Sequence, residues 1–137
     1  MTNYKQEDYI KYRIGKAKDI LEEVQTHIHN GFYNTAINRM YYACFYAVSA
    51  LLLKHNIEVS SHAGARQQFG QHFVKTEKID RDLAKHYTEL FEKRNKGDYN
   101  DFYDYDKETV LKLYPFSKKL IKEIEKLFYV YPNQHSL

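Results

Sequence analysis

Cysteine, proline and glycine are scarce in this chain, and these scarcities remove whole classes of protein. A single cysteine, Cys44, cannot build a disulfide framework, and a free thiol fits a reducing compartment. Two Pro and five Gly beside 43% apolar residues exclude collagen-like and disordered chains. Long apolar runs are missing too. Arg39 and Lys54 bound the longest, short of the roughly 20 residues a bilayer requires. The N-terminal "MTNYKQEDYIKYRIGKAKD" is charged throughout, with no apolar signal-peptide core. With 137 residues, the expectation is one cytoplasmic domain with no membrane segment. A net charge of +3 permits a nucleic-acid partner without requiring one. What the chain does have is aromatic rings, fourteen Tyr and eight Phe, most of which are expected to pack between helices.

Nothing alternates with a period of two for long enough to be a strand. A first helix is predicted from about Tyr4 to His29, carrying Tyr9, Ile10, Ile14, Ala17, Leu21, Val24 and Ile28 at helical spacing, and Asn30 and Gly31 end it. The second, from about Tyr33 to His55, is apolar nearly all round. Ala36, Met40, Ala43, Ala47 and Ala50 form one stripe, and Ile37, Tyr41, Cys44, Val48 and Leu51 another. The third is Arg39, Tyr42, Tyr46, Ser49 and Leu53. Three such stripes place this helix in the middle of a bundle.

A short helix follows from about Ala63 to Lys75, then a helix capped by Asp80 that runs to about Lys96. "KGDYNDFYDYD" reads as a loop. Asp106 caps the last helix, about Lys107 to Tyr129, with Leu111, Tyr114, Leu120, Ile121, Ile124 and Leu127 inward. Pro115 should kink or split it. Residues 130–137 form a tail. The predicted fold is all-α, an up-and-down helical bundle of four long helices plus one short helix, in a single domain 1–137 with its core over about 5–128.

The usual phosphate-binding and zinc motifs are absent, and no Glu-x-x-His pair suits a di-iron bundle. "HIH" at His27–His29 splays its rings about 200° apart on a helix, which suits a solvated helix end better than a metal. No metal and no cofactor are expected. Arg39 raises a separate question, since a dehydrated, unpaired guanidinium costs several kcal/mol. One reading pairs it with the acidic loop Asp98, Asp101, Asp104 and Asp106, shielded by Tyr42. The other sets Arg39 and Arg94 along one cationic groove around a phosphate.

Four segments, in this order, resemble the HEPN domain family of small prokaryotic helical bundles. They are "AINRMYYACFYAVSALLL", "SHAGARQQFGQHFVK", "LFEKRNKGDY" and "DFYDYDKE". The resemblance covers roughly residues 5 to 128. It implies a dimeric all-α protein, often paired with a minimal nucleotidyltransferase as toxin and antitoxin. Catalytically competent members are metal-independent RNases that use Arg, a polar residue, a short spacer and His. Arg94 and Asn95 match the first two positions. The family spacing puts His at Tyr99, Asn100 or Asp101, and none is His.

RNA cleavage through the 2′-hydroxyl needs a group to take its proton, and Tyr99 or Asp98, with ordinary pKa values near 10 and 4, straddle neutrality badly. His62, in the "SHAG" connector, is the candidate replacement, with Ser60 and Ser61 beside it as an alternative helix-cap setting. Arg94 supplies a planar donor fork for phosphate. The expected site is therefore Arg94, Asn95 and His62 for catalysis, with Arg39, Tyr42, Asp98 and Tyr99 for binding. The expected partners are a second copy, a minimal nucleotidyltransferase, and RNA or a nucleotide. The alternative is a non-catalytic dimeric module whose loop tyrosines Tyr99, Tyr103 and Tyr105 receive nucleotides from the partner.

Overall fold

The computed structural model describes residues 5–130, with side chains to residue 128; Tyr4 and the expected tail beyond Val130 lie outside the described residues. Its helices are α1 (Gln6–His29), α2 (Tyr33–Lys54), α3 (His62–Phe69), α4 (Arg81–Tyr99) and α5 (Lys107–Val130). Among the described residues there is no strand. This is the all-α bundle expected, four long helices and one short one.

Helix α2 dictates the arrangement because it has two fully apolar stripes and must be covered on both. It packs against α1, α3, α4 and α5. Ala36, Met40, Ala43, Ala47 and Ala50 are wholly buried, as are Ile37, Tyr41, Cys44, Val48 and Leu51. By length and hydropathy α2 resembles a membrane span, but here it is the core helix of a small helical domain. Deleting Leu51 to Ala should cost about 2–5 kcal/mol, since close-packed neighbours refill a hole only in part. The third stripe differs: Arg39, Tyr42, Tyr46, Ser49 and Leu53 are only half-buried. α2 thus has an open side, and polar groups occupy it.

Side-chain pairs fix the directions. Gln6 bonds the Leu53 carbonyl, Arg13 donates to Ser49 (2.9 Å) and Arg39 to Glu23 (3.1 Å), so α1 runs antiparallel to α2. α4 does the same on another side, through Asn38 to Asp98 and Arg94 to Tyr42, both 2.9 Å. α5 closes against α1 through Lys18–Glu125 and a Gln25 to Tyr114 hydrogen bond of 2.8 Å.

Several boundaries have local causes. Gly31 (φ +77°) and Asn56 (φ +59°) end α1 and α2 in the left-handed region that Gly enters freely and Asn tolerates. Asp80 and Asp106 accept the expected cap bonds from Asp82 and Thr109. The short helix is not uniform: α3 passes into a π-helical turn at Gly70–Val74, which brings Phe69 and Phe73 together in the core with ring centroids 6.2 Å apart.

Other expectations fail. α4 continues through Gly97 to Tyr99 rather than stopping near Lys96. Of the two effects expected of Pro115, a kink or a split, the split does not occur: α5 is one helix through it. Leu120, Ile121 and Ile124 face inward as expected, with Tyr114 and Leu127 partly buried against the core; Val110, Leu113 and Ser117 join them, and Leu111 alone of the expected set is exposed.

Candidate functional site

Arg94 sits on the last turns of α4, with its side chain 13% exposed, and almost every contact it makes is polar or aromatic. Its guanidinium carbon lies 5.5 Å from the Tyr41 ring centroid and 5.1 Å from that of Tyr42, within cation–π range. One terminal nitrogen donates to the Tyr42 hydroxyl (2.9 Å), the other to Asn95 Oδ1 (3.2 Å). Nε lies 3.2 Å from Asp98 Oδ2, one turn on. That contact lacks hydrogen-bond alignment, so the buried Nε–H remains unsatisfied. Asp98 also accepts from Asn38 on α2 (2.9 Å). A guanidinium has five N–H donors, so this network fixes the group and still leaves donors for an anion.

His62, the first residue of α3, comes to the same corner from the other side. Ser61 carries out the capping, accepting from Gly64 N at 2.9 Å. That leaves the His62 ring to face α2. Its Nδ1 shares a 2.6 Å hydrogen bond with the Tyr41 hydroxyl, and its ring lies 5.9 Å from Tyr42 and 4.5 Å from Phe45. Burial first, and then the nearby Arg94 charge, hold the His62 pKa below its ordinary value. Burial also pushes Tyr41 up to about 12, keeping its phenol neutral. No described residue bonds His62 Nε2.

The acidic-loop partner expected for Arg39 is not the one found. Its Nε donates to Glu23 Oε2, and Glu23 also holds His27 at 2.7 Å. The His27 hydrogen bond, and after it Arg39, lower the Glu23 pKa. The reason is topological: α1 lies antiparallel beside α2 and presents Glu23 to Arg39, while Asp98 is engaged by Arg94 and Asn38. Tyr42 accordingly serves Arg94 and not Arg39. Each arginine has its own carboxylate, and the two share no bonded network.

Asn95 and Asp98 join Arg94, whereas Tyr99 points away, 77% exposed at the end of α4. Of the other loop tyrosines, Tyr103 is partly exposed. Tyr105 is buried, donates its hydroxyl to the Lys93 carbonyl (2.9 Å), and is pushed up to about 12 chiefly by burial. It is therefore unavailable as a modification target.

The HEPN domain family pattern matches residues 10–127. The chain belongs to that family. A Thermotoga maritima "UPF0332 protein" is 36% identical over 121 residues, covering 88% of this chain and 92% of its own. A Methanocaldococcus jannaschii protein named "Putative toxin MJ0142" is 34% identical over 105 residues, 77% of this chain and 70% of its own.

Within this HEPN bundle, three contributors were missed by sequence reasoning: Asn38, Tyr41 and Arg66. Arg66 is one turn after His62 on α3, and its guanidinium stacks 4.1 Å over the Phe91 ring. Asn38 had a legible signal. Asn34, Asn38 and Tyr42 recur at every fourth residue of an otherwise apolar helix, and all three meet α4 or the segment after it.

Proposed function

We propose that this HEPN protein binds RNA or a nucleotide at the Arg94–His62 corner and cleaves RNA there without a metal ion. In this reading it dimerises and works beside a minimal nucleotidyltransferase as the toxin half of a pair. The name of the M. jannaschii relative agrees with a toxin role. The observation that carries the reading is the imidazole of His62 on the same aromatic platform as Arg94, in a chain whose copy of the family motif lacks the histidine.

With its pKa held low, His62 is neutral at neutral pH, the state a general base requires. When Nδ1 donates to Tyr41, Nε2 takes the proton of a ribose 2′-hydroxyl. The 2′-oxygen bonds phosphorus, the P–O5′ bond breaks, and the leaving oxygen takes a proton from water. Arg94 stabilises charge on the phosphorane. End-labelled RNA incubated in EDTA with wild type, Arg94→Ala and His62→Ala tests this. Cleavage by the wild type alone is expected; equal cleavage by all three would sink it.

The exposure of Tyr99 favours a second reading, a non-catalytic module nucleotidylated by its partner. Co-expression with a minimal nucleotidyltransferase would then add a nucleoside monophosphate mass to Tyr99, and Tyr99→Phe would abolish it.

A further inference from the structure

We infer that the groove between the N-terminal half of α1 and the C-terminal half of α2 is a subsite for the nucleotides next to the phosphate held at Arg94, in single-stranded RNA; this rests on the RNA-binding reading above. The groove has a volume of about 910 Å³, and its walls include Arg13, Phe45, Tyr46, Ser49, Asn56 and His62. A concavity of that size with a few polar groups among aromatic ones is the usual form of a ligand site. Arg94 does not line it. His62 belongs to both, and its ring touches Phe45 on the groove side and Tyr42 on the Arg94 side.

Arg13 is the second observation. It is half-buried and donates to Ser49 Oγ, yet no carboxylate among the described residues pairs with it. Arg39 and Arg94 each have one. A half-buried guanidinium without an acid partner keeps an affinity for an anion that the paired arginines have partly spent. The groove's single acidic wall residue is the exposed Glu58. It limits the positive field, so a short stretch of backbone is favoured over a long cationic track.

Rings supply the rest. Phe45 and Tyr46 are half-buried, meet edge-to-face at 6.1 Å and both line the groove with aromatic surface. Unpaired bases stack on such faces regardless of sequence, and a duplex offers none. Tyr42, Tyr46 and Ser49 follow one stripe, and seven residues at about 1.5 Å each span roughly 10 Å. At the roughly 3.4 Å rise of a base-stacked strand that is about three nucleotides. The stretch thus leads from the phosphate at Arg94 past Tyr46 to Arg13.

Fluorescence anisotropy with labelled 2′-O-methyl oligouridylates of two to eight nucleotides tests the subsite, since a blocked 2′-oxygen prevents cleavage. Wild-type affinity should rise with length and level off near four nucleotides. Tyr46→Ala should weaken the longer oligomers about fivefold or more and leave the dinucleotide unchanged, while Tyr46→Phe binds like wild type. Arg13→Gln should reduce the salt slope by about 0.7. Loss of binding in Arg94→Ala, with no effect of Tyr46→Ala or Arg13→Gln, would overturn the subsite and leave the Arg94 reading standing. A wild type that binds no oligomer overturns both. Sedimentation of Tyr46→Ala is the remaining arm: a shift from dimer to monomer would identify the groove as a contact between copies, and overturn the subsite.

Discussion

The corner at His62 and the seam at His86 are built from the same parts with different outcomes. Each holds an imidazole against a hydroxyl, 2.6 Å to Tyr41 in one case and 2.8 Å to Ser117 in the other. Burial lowers the pKa of both, that of His86 to about 4. His86 is only 5% exposed, sealed between α4 and α5, and Ser117 donates its hydroxyl to the Leu113 carbonyl. Among the described residues no cation pairs with His86, and it does not line the groove that His62 shares. His62 is half-buried, shares the Tyr41 and Tyr42 rings with Arg94, and lines the groove of about 910 Å³. A displaced pKa alone therefore does not mark a site. In the proposed reading, access and an adjacent charge separate the histidine that works from the structural one.

The sharpest break of this comparison is kinetic. His62→Ala should lower RNA cleavage about 100-fold or more, while His86→Gln, which can still bond Ser117, leaves it unchanged in the same gel assay. Stability should reverse the ranking. The unfolded chain protonates a histidine near pH 6.5, whereas folded His86 resists until about 4. Stability is therefore lost as pH falls through 6.5 and the loss is complete near 4, on the order of 3 kcal/mol. Urea titrations at pH 7, 6, 5 and 4.5 should show this slope in wild type and a flatter one in His86→Gln. Ser61→Ala removes the α3 cap and should cost about 1 kcal/mol, with reduced cleavage because His62 is the next residue. The smallest effect belongs to the exposed Glu23–Arg39 pair, whose double-mutant coupling should be below about 1 kcal/mol, with cleavage unaffected.

Helix type and order were legible because α2 advertises its burial and because Asn30-Gly31, Asp80 and Asp106 are strong local punctuation. The end of α4 was not. Gly97 reads as a stop, yet it lies within the helix, and a Cβ there would come within 3.3 Å of the Tyr105 ring; its smallness serves close approach rather than termination. In α5 the inward phase was legible from Leu120, Ile121 and Ile124, and only Leu111, near the start of the helix, was misplaced. At the site, Arg94, Asn95 and Asp98 are neighbours on one helix and could be read together. The meeting of His62 with Arg94 could not, since it depends on how α3 packs across α2. The partner of Arg39 was misassigned for a related reason: composition pointed to the Asp-rich loop, and only the antiparallel packing of α1 brings Glu23 alongside.

Cys44 has a use of its own. It is wholly buried at the centre of α2, and burial pushes its thiol up to about 12. Its sulfur meets a reagent only when the helices around α2 separate. The rate of thiol labelling in plain buffer, followed by mass, would therefore report the free energy of opening the whole bundle. The chain carries a single-site probe of its own cooperativity, requiring neither denaturant nor an introduced label.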